Sequence, residues 1–182
     1  MLVLFDVASV HTADLEAADL RRIRQLLERA FDDSFEESDW EHTIGGVHVL
    51  LRRDGELAGH ASVVQRRLFH AGASIRTGYV EAVAVAAEHR RRGAAGMLMA
   101  EAERIITTAY DLGALGDGTE IEGFYQRFGW LAWRGPTSTL TPAGMHRTPA
   151  EDGYVLVLPT PTSPHLDLDG PIACDWRPGD AW

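Results

Sequence analysis

The chain has 182 residues, 45% of them hydrophobic and 24% charged, with a formal net charge of −10. This length and balance fit one domain over 1–182 with a buried core, and exclude disorder of the whole chain. The acidic surplus argues against a nucleic acid partner, and the single cysteine, Cys174, rules out an internal disulfide.

The excess of acid has two uses: solubility, or steering a cationic ligand. The eight histidines show no paired ligand spacing, so no metal is expected. No stretch is long enough to span a bilayer, so no membrane role is expected. The segment 1–10 is apolar but short, contains Asp6 and lacks a basic start, so it reads as a first strand rather than a signal peptide. The expected location is the cytoplasm.

An amphipathic helix follows over 14–31, with Leu20, Ile23, Leu27 and Ala30 at helical spacing and Thr12 or Asp14 as its cap. The run 32–39 is strongly acidic, either a solvated loop or a wall beside a cation. Strands are predicted over 47–52 and 56–70, joined by the Asp54-Gly55 turn, and over 75–85. A helix covers 94–110, a short apolar segment 112–115, and a second short helix 120–128, stopped by Gly129. Segments 130–133 and 153–158 read as strands. The tail after 159 is rich in Pro, Asp and Gly and reads mostly as loop, yet Trp176 and Trp182 suggest that it packs on something. The order predicts an α+β (mixed α/β) domain on one sheet.

The informative segment is 79–96, Y-V-E-A-V-A-V-A-A-E-H-R-R-R-G-A-A-G. A strand feeds a basic, glycine-containing turn that opens a helix. Unpaired amides at a helix start and the helix dipole form an anion site. Arg90, Arg91 and Arg92 add charge, and Gly93 and Gly96 permit close approach. A pyrophosphate would be held well there; a basic turn capping a surface helix is the plainer alternative. Glu81 is a carboxylate in an otherwise apolar strand. Burial would raise its pKa and suit a general base, whereas strand alternation also permits a solvated charge.

Arg90-x-x-Gly93-x-Ala95 after Val83-Ala84-Val85 resembles the acetyl-CoA motif of the GNAT acetyltransferase superfamily. The segment 31–46 with D-W-E-H-T-x-G-G, the stretch H-A-S-V-V-Q-R at 60–66, G-Y-V-E at 78–81, Tyr110-x-Leu112-Gly113 and the end C-D-W-R-x-G-D-x-W at 174–182 resemble the aminoglycoside 2′-N-acetyltransferases, across nearly the whole chain. The resemblance implies a mostly antiparallel, splayed GNAT-like sheet flanked by helices. It implies acetyl-CoA as co-substrate, with no metal, and a cationic aminoglycoside as acceptor, in an enzyme conferring antibiotic resistance. Relatives are commonly homodimers.

Carried over, the backbone of Val83, Ala84 and Val85 would meet the pantetheine arm, and Arg90, Arg91, Arg92, Gly93, Ala94, Ala95 and Gly96 the phosphates. Glu81 would activate the amine, the Val83 N–H would receive developing negative charge, and Tyr125 would be the general acid. As plain residues, Tyr125 suits core packing and Asp39 suits a helix cap ahead of Trp40. Ser34, Asp39, Glu81, Ala82, Gly116, Asp117, Glu151, Asp152, Asp180 and Trp182 with its terminal carboxylate are the substrate-binding candidates, so the tail 159–182 is expected near the substrate site.

Two positions depart from the family pattern. Ser34 stands where an acidic residue is common, and Gly116-Asp117 where serines are usual. Fewer carboxylates suit an acceptor with fewer ammonium groups, such as kasugamycin. The alternatives are acetylation of a metabolic amino sugar or polyamine, and a coenzyme A-binding module without catalysis.

Overall fold

The computed structural model describes residues 5–119, 121 and 123–182. They divide into two compact units, Met1–Val64 with Val80–Arg104, and Gln65–Tyr79 with Ile105–Trp182. Strand β1 is Asp6–His11, β2 Val47–Arg53, β3 Glu56–His70 and β4 Ala73–Val85. The long strands β3 and β4 form a hairpin about Ala71-Gly72, and each runs through both units.

In the first unit β1 pairs antiparallel with β2, and β2 with β3. The β2–β3 connection turns at Asp54 (φ 51°) and Gly55 (φ 86°), the two positive values that an Asp-Gly hairpin supplies at low cost. Helix α1, Ala17–Phe31, lays Ile23 and Leu27 against Leu50 and Ala84, with Trp40 and Ala82 packed around them. It begins later than expected, and neither Thr12 nor Asp14 caps it. The N-cap position is Glu16, without a side-chain cap. Thr12 is held elsewhere, accepting the Gly45 N–H at 2.9 Å.

The acidic run is not a simple loop. After a 3-10 turn at Asp32–Ser34 the chain forms helix α2, Glu37–Thr43. Glu36 is its N-cap and Asp39 accepts the Glu36 N–H at 2.8 Å, a reciprocal capping box. The helix thus starts three residues before Trp40, and Asp39 lies inside its first turn. Helix α3, Ala94–Ala109, follows β4. It approaches β3 closely at Gly59, where a Cβ would sit 3.1 Å from both the Ala84 carbonyl oxygen and Leu98.

The second unit adds β5 (Leu112–Gly116), β6 (Leu131–Ala132), β7 (Thr137–Thr141), β8 (Gly144–Arg147), β9 (Val155–Pro159) and β10 (Ile172–Asp175). The sheet order is β6-β9-β5-β4-β3-β10-β7-β8, with β4–β5 and β10–β7 parallel and β3–β10, β5–β9, β6–β9 and β7–β8 antiparallel. Antiparallel pairs predominate, as expected, and the two parallel pairs make the sheet mixed. The second short helix of the sequence reading is absent from the described residues. Gly123 takes φ 68°, which breaks the helical path, and a 3-10 turn at Gln126–Phe128 ends on left-handed Gly129 (φ 92°). Glu120, the expected start, lies outside the described residues, as do residues 1–4 of the expected first strand.

Strands β7, β8 and β10 were not foreseen. β7 is threonine-rich, and β10 is four residues long within a tail of turn-forming composition. The tail packs firmly. Trp133 donates its indole N–H to Gly170 O at 2.9 Å, and a Cβ at Gly135 would collide with that same carbonyl. Trp182 is buried, but Trp176 is 52% exposed, so only one of the two tail tryptophans serves as an anchor.

Candidate active site

The first unit carries the strand, turn and helix that the motif predicts. Strand β4 does not stay regular. Ala82 adopts φ 50°, a left-handed conformation inside a strand. An L-residue there bears strain and bends the local ladder as a bulge does. Glu81, Ala82 and Val83 are consecutively half-exposed, whereas Ala84 and Val85 are buried. The bulge is tied to β3 by Ser62 Oγ, 3.5 Å from the Glu81 carbonyl oxygen, and by His60 Nδ1, 3.0 Å from that of Ala82. The Glu81 side chain is thus neither fully buried nor fully solvated.

Beyond Val85 the chain turns over 86–93. Arg90 donates from Nε to the Val85 carbonyl oxygen at 3.0 Å, which folds the turn back on the strand end. Arg91 (φ 59°) and Gly93 (φ 81°) both take the left-handed region. In α3 the first intrahelical amide is Met97 N–H, bonded to Gly93 O at 3.2 Å. The amides of Ala94, Ala95 and Gly96 therefore have no acceptor within the helix. Arg90, Arg91 and Arg92 are exposed beside them. Nothing lies within 4 Å of a Cβ position at Gly93, so an anion can approach the main chain.

Next to this turn is a cleft of about 250 Å³. Its walls include Leu26, Arg29 and Ala30 of α1, Leu57 of β3, and Val85 and Arg90. The turn's amides and guanidiniums are groups that can take phosphates, while the same cleft also carries the Glu88 carboxylate. Arg29 lines this cleft without having been a candidate, because nothing in a helix's last turn marks which cleft it will line.

The second unit gathers a different set. A Cβ at Gly116 would lie 3.6 Å from the Tyr79 hydroxyl and 4.0 Å from the Trp182 carbonyl carbon. Trp182 is anchored by its indole N–H to Thr148 Oγ1 at 3.0 Å, and its main-chain oxygen accepts from Arg177 at 3.1 Å. Cys174 is buried, and its thiol donates to Ala181 O at 3.2 Å, a structural use. Glu151 is held above its usual pKa by burial and by the Asp180 carboxylate. Asp117 donates its N–H to Tyr154 O at 2.8 Å.

Tyr125 is buried among Phe124 and Trp130, with ring centroids at 4.9 and 6.3 Å. Burial and the Asp117 carboxylate push its phenol up to about 12. Asp152 behaves unlike its neighbour Glu151. It pairs with Arg147 and accepts from Thr137 N–H and Oγ1, which together hold it down to about 2. Its carboxylate is therefore committed to the frame rather than offered to a ligand. Ser34 is exposed and spends its hydroxyl on Phe31 O. Among the described residues no cluster of His, Cys, Asp or Glu is placed to hold a metal, and no helix is long and apolar enough to cross a membrane.

The strand–turn–helix arrangement has counterparts among known proteins. Residues 11–132 match the acetyltransferase (GNAT) domain family. An aminoglycoside 2′-N-acetyltransferase of Mycolicibacterium fortuitum is 43% identical over 182 residues, covering 99% of this chain and 93% of that protein. Among solved structures, the GNAT-family N-acetyltransferase YhbS of Escherichia coli, in complex with CoA, superposes with a TM-score of 0.60 at 16% identity, over 93% of this chain and 88% of that one. A conserved protein of unknown function from Enterococcus faecalis V583 gives 0.59 at 14% identity over 73% of this chain. The chain spans only 33% of that longer protein.

The chain belongs to the GNAT acetyltransferase family and is an N-acetyltransferase that uses acetyl-CoA as donor. Within that family it stands close to the aminoglycoside 2′-N-acetyltransferases.

Proposed function

We propose that the protein acetylates the 2′-amino group of an aminoglycoside and so inactivates the drug in the cytoplasm, where acetyl-CoA is available. The observation that carries this is the 43% identity to an aminoglycoside 2′-N-acetyltransferase over 99% of the chain. The net charge of −10 suits a polycationic acceptor.

Acetyl-CoA supplies the activated acyl group as a thioester. Val83, Ala84 and Val85 would offer main-chain groups to its pantetheine arm, and the amides and side chains of 90–96 would take its phosphates. Glu81 removes a proton from the acceptor ammonium, directly or through water, because only the free amine attacks. The Val83 N–H receives the negative charge that develops on the thioester oxygen. By the resemblance, Tyr125 would assist departure of the coenzyme A thiolate. A phenol near 12 lies above an ordinary thiol at roughly 8.5. It therefore serves as a hydrogen-bond donor to the developing thiolate, and the proton that finally neutralises the thiolate comes from solvent.

The resemblance makes Asp39 and Ala82 of the first unit, and Gly116, Asp117, Glu151, Asp180 and the Trp182 main chain of the second, candidates for contact with the amino sugar. The raised Glu151 supports this role: an ammonium between it and Asp180 would relieve the repulsion that now favours its proton. The serine at 34 and the glycine at 116 narrow the acceptor toward compounds with fewer ammonium groups, of which kasugamycin is the test case.

A thiol-release assay with acetyl-CoA against tobramycin, gentamicin, amikacin, kasugamycin and spermidine tests the reading. Turnover on a 2′-amino aminoglycoside, with the product acetylated at that nitrogen by NMR, is the expected result. Preference for kasugamycin over tobramycin would support the narrowing, and the reverse would remove it. Turnover on spermidine alone would replace the antibiotic by a metabolic polyamine.

A further inference from the structure

Behind the β4 bulge lies a chain of polar groups that the proposed chemistry does not use. His48 on β2 and His60 on β3 are both 0% exposed. In the strand register His48 faces Ser62 and His60 faces Leu50, so the two rings are diagonal neighbours on one face. His48 Nδ1 lies 2.9 Å from His60 Nε2. At one end His60 Nδ1 is 3.0 Å from the Ala82 carbonyl oxygen. At the other, His48 Nε2 is 2.8 Å from Thr12 Oγ1, which accepts the Gly45 N–H.

The proton positions follow from donor and acceptor chemistry. A carbonyl oxygen only accepts, so the His60 proton is on Nδ1. Burial holds His60 down to about 3 and His48 to about 4, so both rings are neutral at pH 7 and each has one N–H. His60 Nε2 is then an acceptor and His48 Nδ1–H its donor. His48 Nε2 in turn accepts the Thr12 hydroxyl proton, which is then not available to Gly46 O, 3.1 Å away. One direction of donation satisfies the whole chain, from Thr12 through two rings to the bulge.

Two buried imidazoles occupy positions where aliphatic side chains would avoid the desolvation of polar nitrogens. Their line of hydrogen bonds ends on the carbonyl of the one β4 residue with a left-handed backbone. We infer that His60, keyed into one tautomer by His48 and Thr12, is a positioning residue for acetyl transfer: its Nδ1–H bond to the Ala82 carbonyl holds the β4 bulge and thereby aims Glu81 and the Val83 N–H. The inference rests on the roles proposed above for those two residues.

The test compares His60→Leu, which removes the donor, with His60→Asn, whose amide N–H replaces Nδ1–H. Melting temperature, kcat per folded molecule and coenzyme A affinity by calorimetry are read for each. His60→Leu is expected to lower kcat by about 10- to 100-fold, the scale on which small misplacements of reacting groups act. His60→Asn recovers most of that loss even where its melting temperature is equally reduced. Unchanged kcat in His60→Leu, or no recovery in His60→Asn, would overturn the inference.

If the wild type acetylates none of the amines, the proposed function fails separately and coenzyme A affinity decides. Binding weakened about fivefold in His60→Leu, one hydrogen bond's worth, and restored in His60→Asn supports the bulge-holding role. Equal affinity in all three proteins overturns it. Should His60→Leu not fold, nitrogen-15 NMR of the wild-type rings at pH 7 stands in. Nδ1–H on both histidines is expected, and an Nε2–H on His60 refutes the chain.

Discussion

Over 73–79, β4 holds buried Ile75, Thr77 and Tyr79 with Arg76 exposed between the first two, and pairs in parallel with β5 through Thr77–Leu112, Gly78–Gly113 and Tyr79–Ala114. Over 81–83 the same strand is half-exposed at three consecutive residues, carries an alanine at φ 50°, and is held by side chains of β3. The first half is scaffold: glycine lets neighbouring side chains close on the backbone, and a Cβ at Gly78 would sit 2.7 Å from the Tyr110 ring. The second half leaves main-chain groups and one carboxylate half-exposed. A strand can do both because strain at one point is tolerated when the flanking backbone is over-determined by packing.

Substitutions should separate the two halves by their readouts. The largest effect is expected from Glu81→Gln. Loss of the base should lower kcat by about 10²- to 10⁴-fold while the melting temperature stays near wild type. A loss of stability with near-normal kcat would instead make Glu81 part of the scaffold. On the other half, Gly78→Val should cost about 1–3 kcal/mol of stability through overpacking, measured by urea unfolding, with kcat per folded molecule preserved.

Acid should strike the bulge side first. His48 and His60 have folded-state values near 4 and 3, depressed below an unfolded value of about 6.5, the first mainly by burial with help from His11. Their neutral-state stability is present above pH 6.5 and is lost as pH falls toward those folded values. Between pH 7 and 5 each contributes a loss of about 2 kcal/mol, which His60→Asn should halve in unfolding titrations. The smallest effect concerns two adjacent carboxylates in the second unit. Glu151→Gln should raise the KM for the aminoglycoside severalfold with little change in melting temperature. Asp152→Asn should do the opposite, since that group is already committed to Thr137 and Arg147.

Much of this was legible in the residues. Asp54-Gly55 marked its hairpin, Ile23 and Leu27 of the periodic set Leu20, Ile23, Leu27 and Ala30 proved buried in α1 while Leu20 and Ala30 are half-buried, and R-R-R-G after an apolar strand marked a turn that opens a helix. These are local signals, set by backbone sterics and hydrophobic period within a few residues. The sequence alone therefore determined the strand–turn–helix and carried the family resemblance, from which the candidate cofactor and catalytic residues come. Only the tertiary structure decided matters that depend on residues far apart: that Asp39 closes a capping box, that Asp152 is tied while Glu151 is pressed by Asp180, and that four residues at 172–175 complete a strand. It alone also decided that two histidines twelve positions apart meet beneath Ala82. Hydrogen-bond partners and electrostatic neighbours are set by distances in space, which no spacing along the chain encodes.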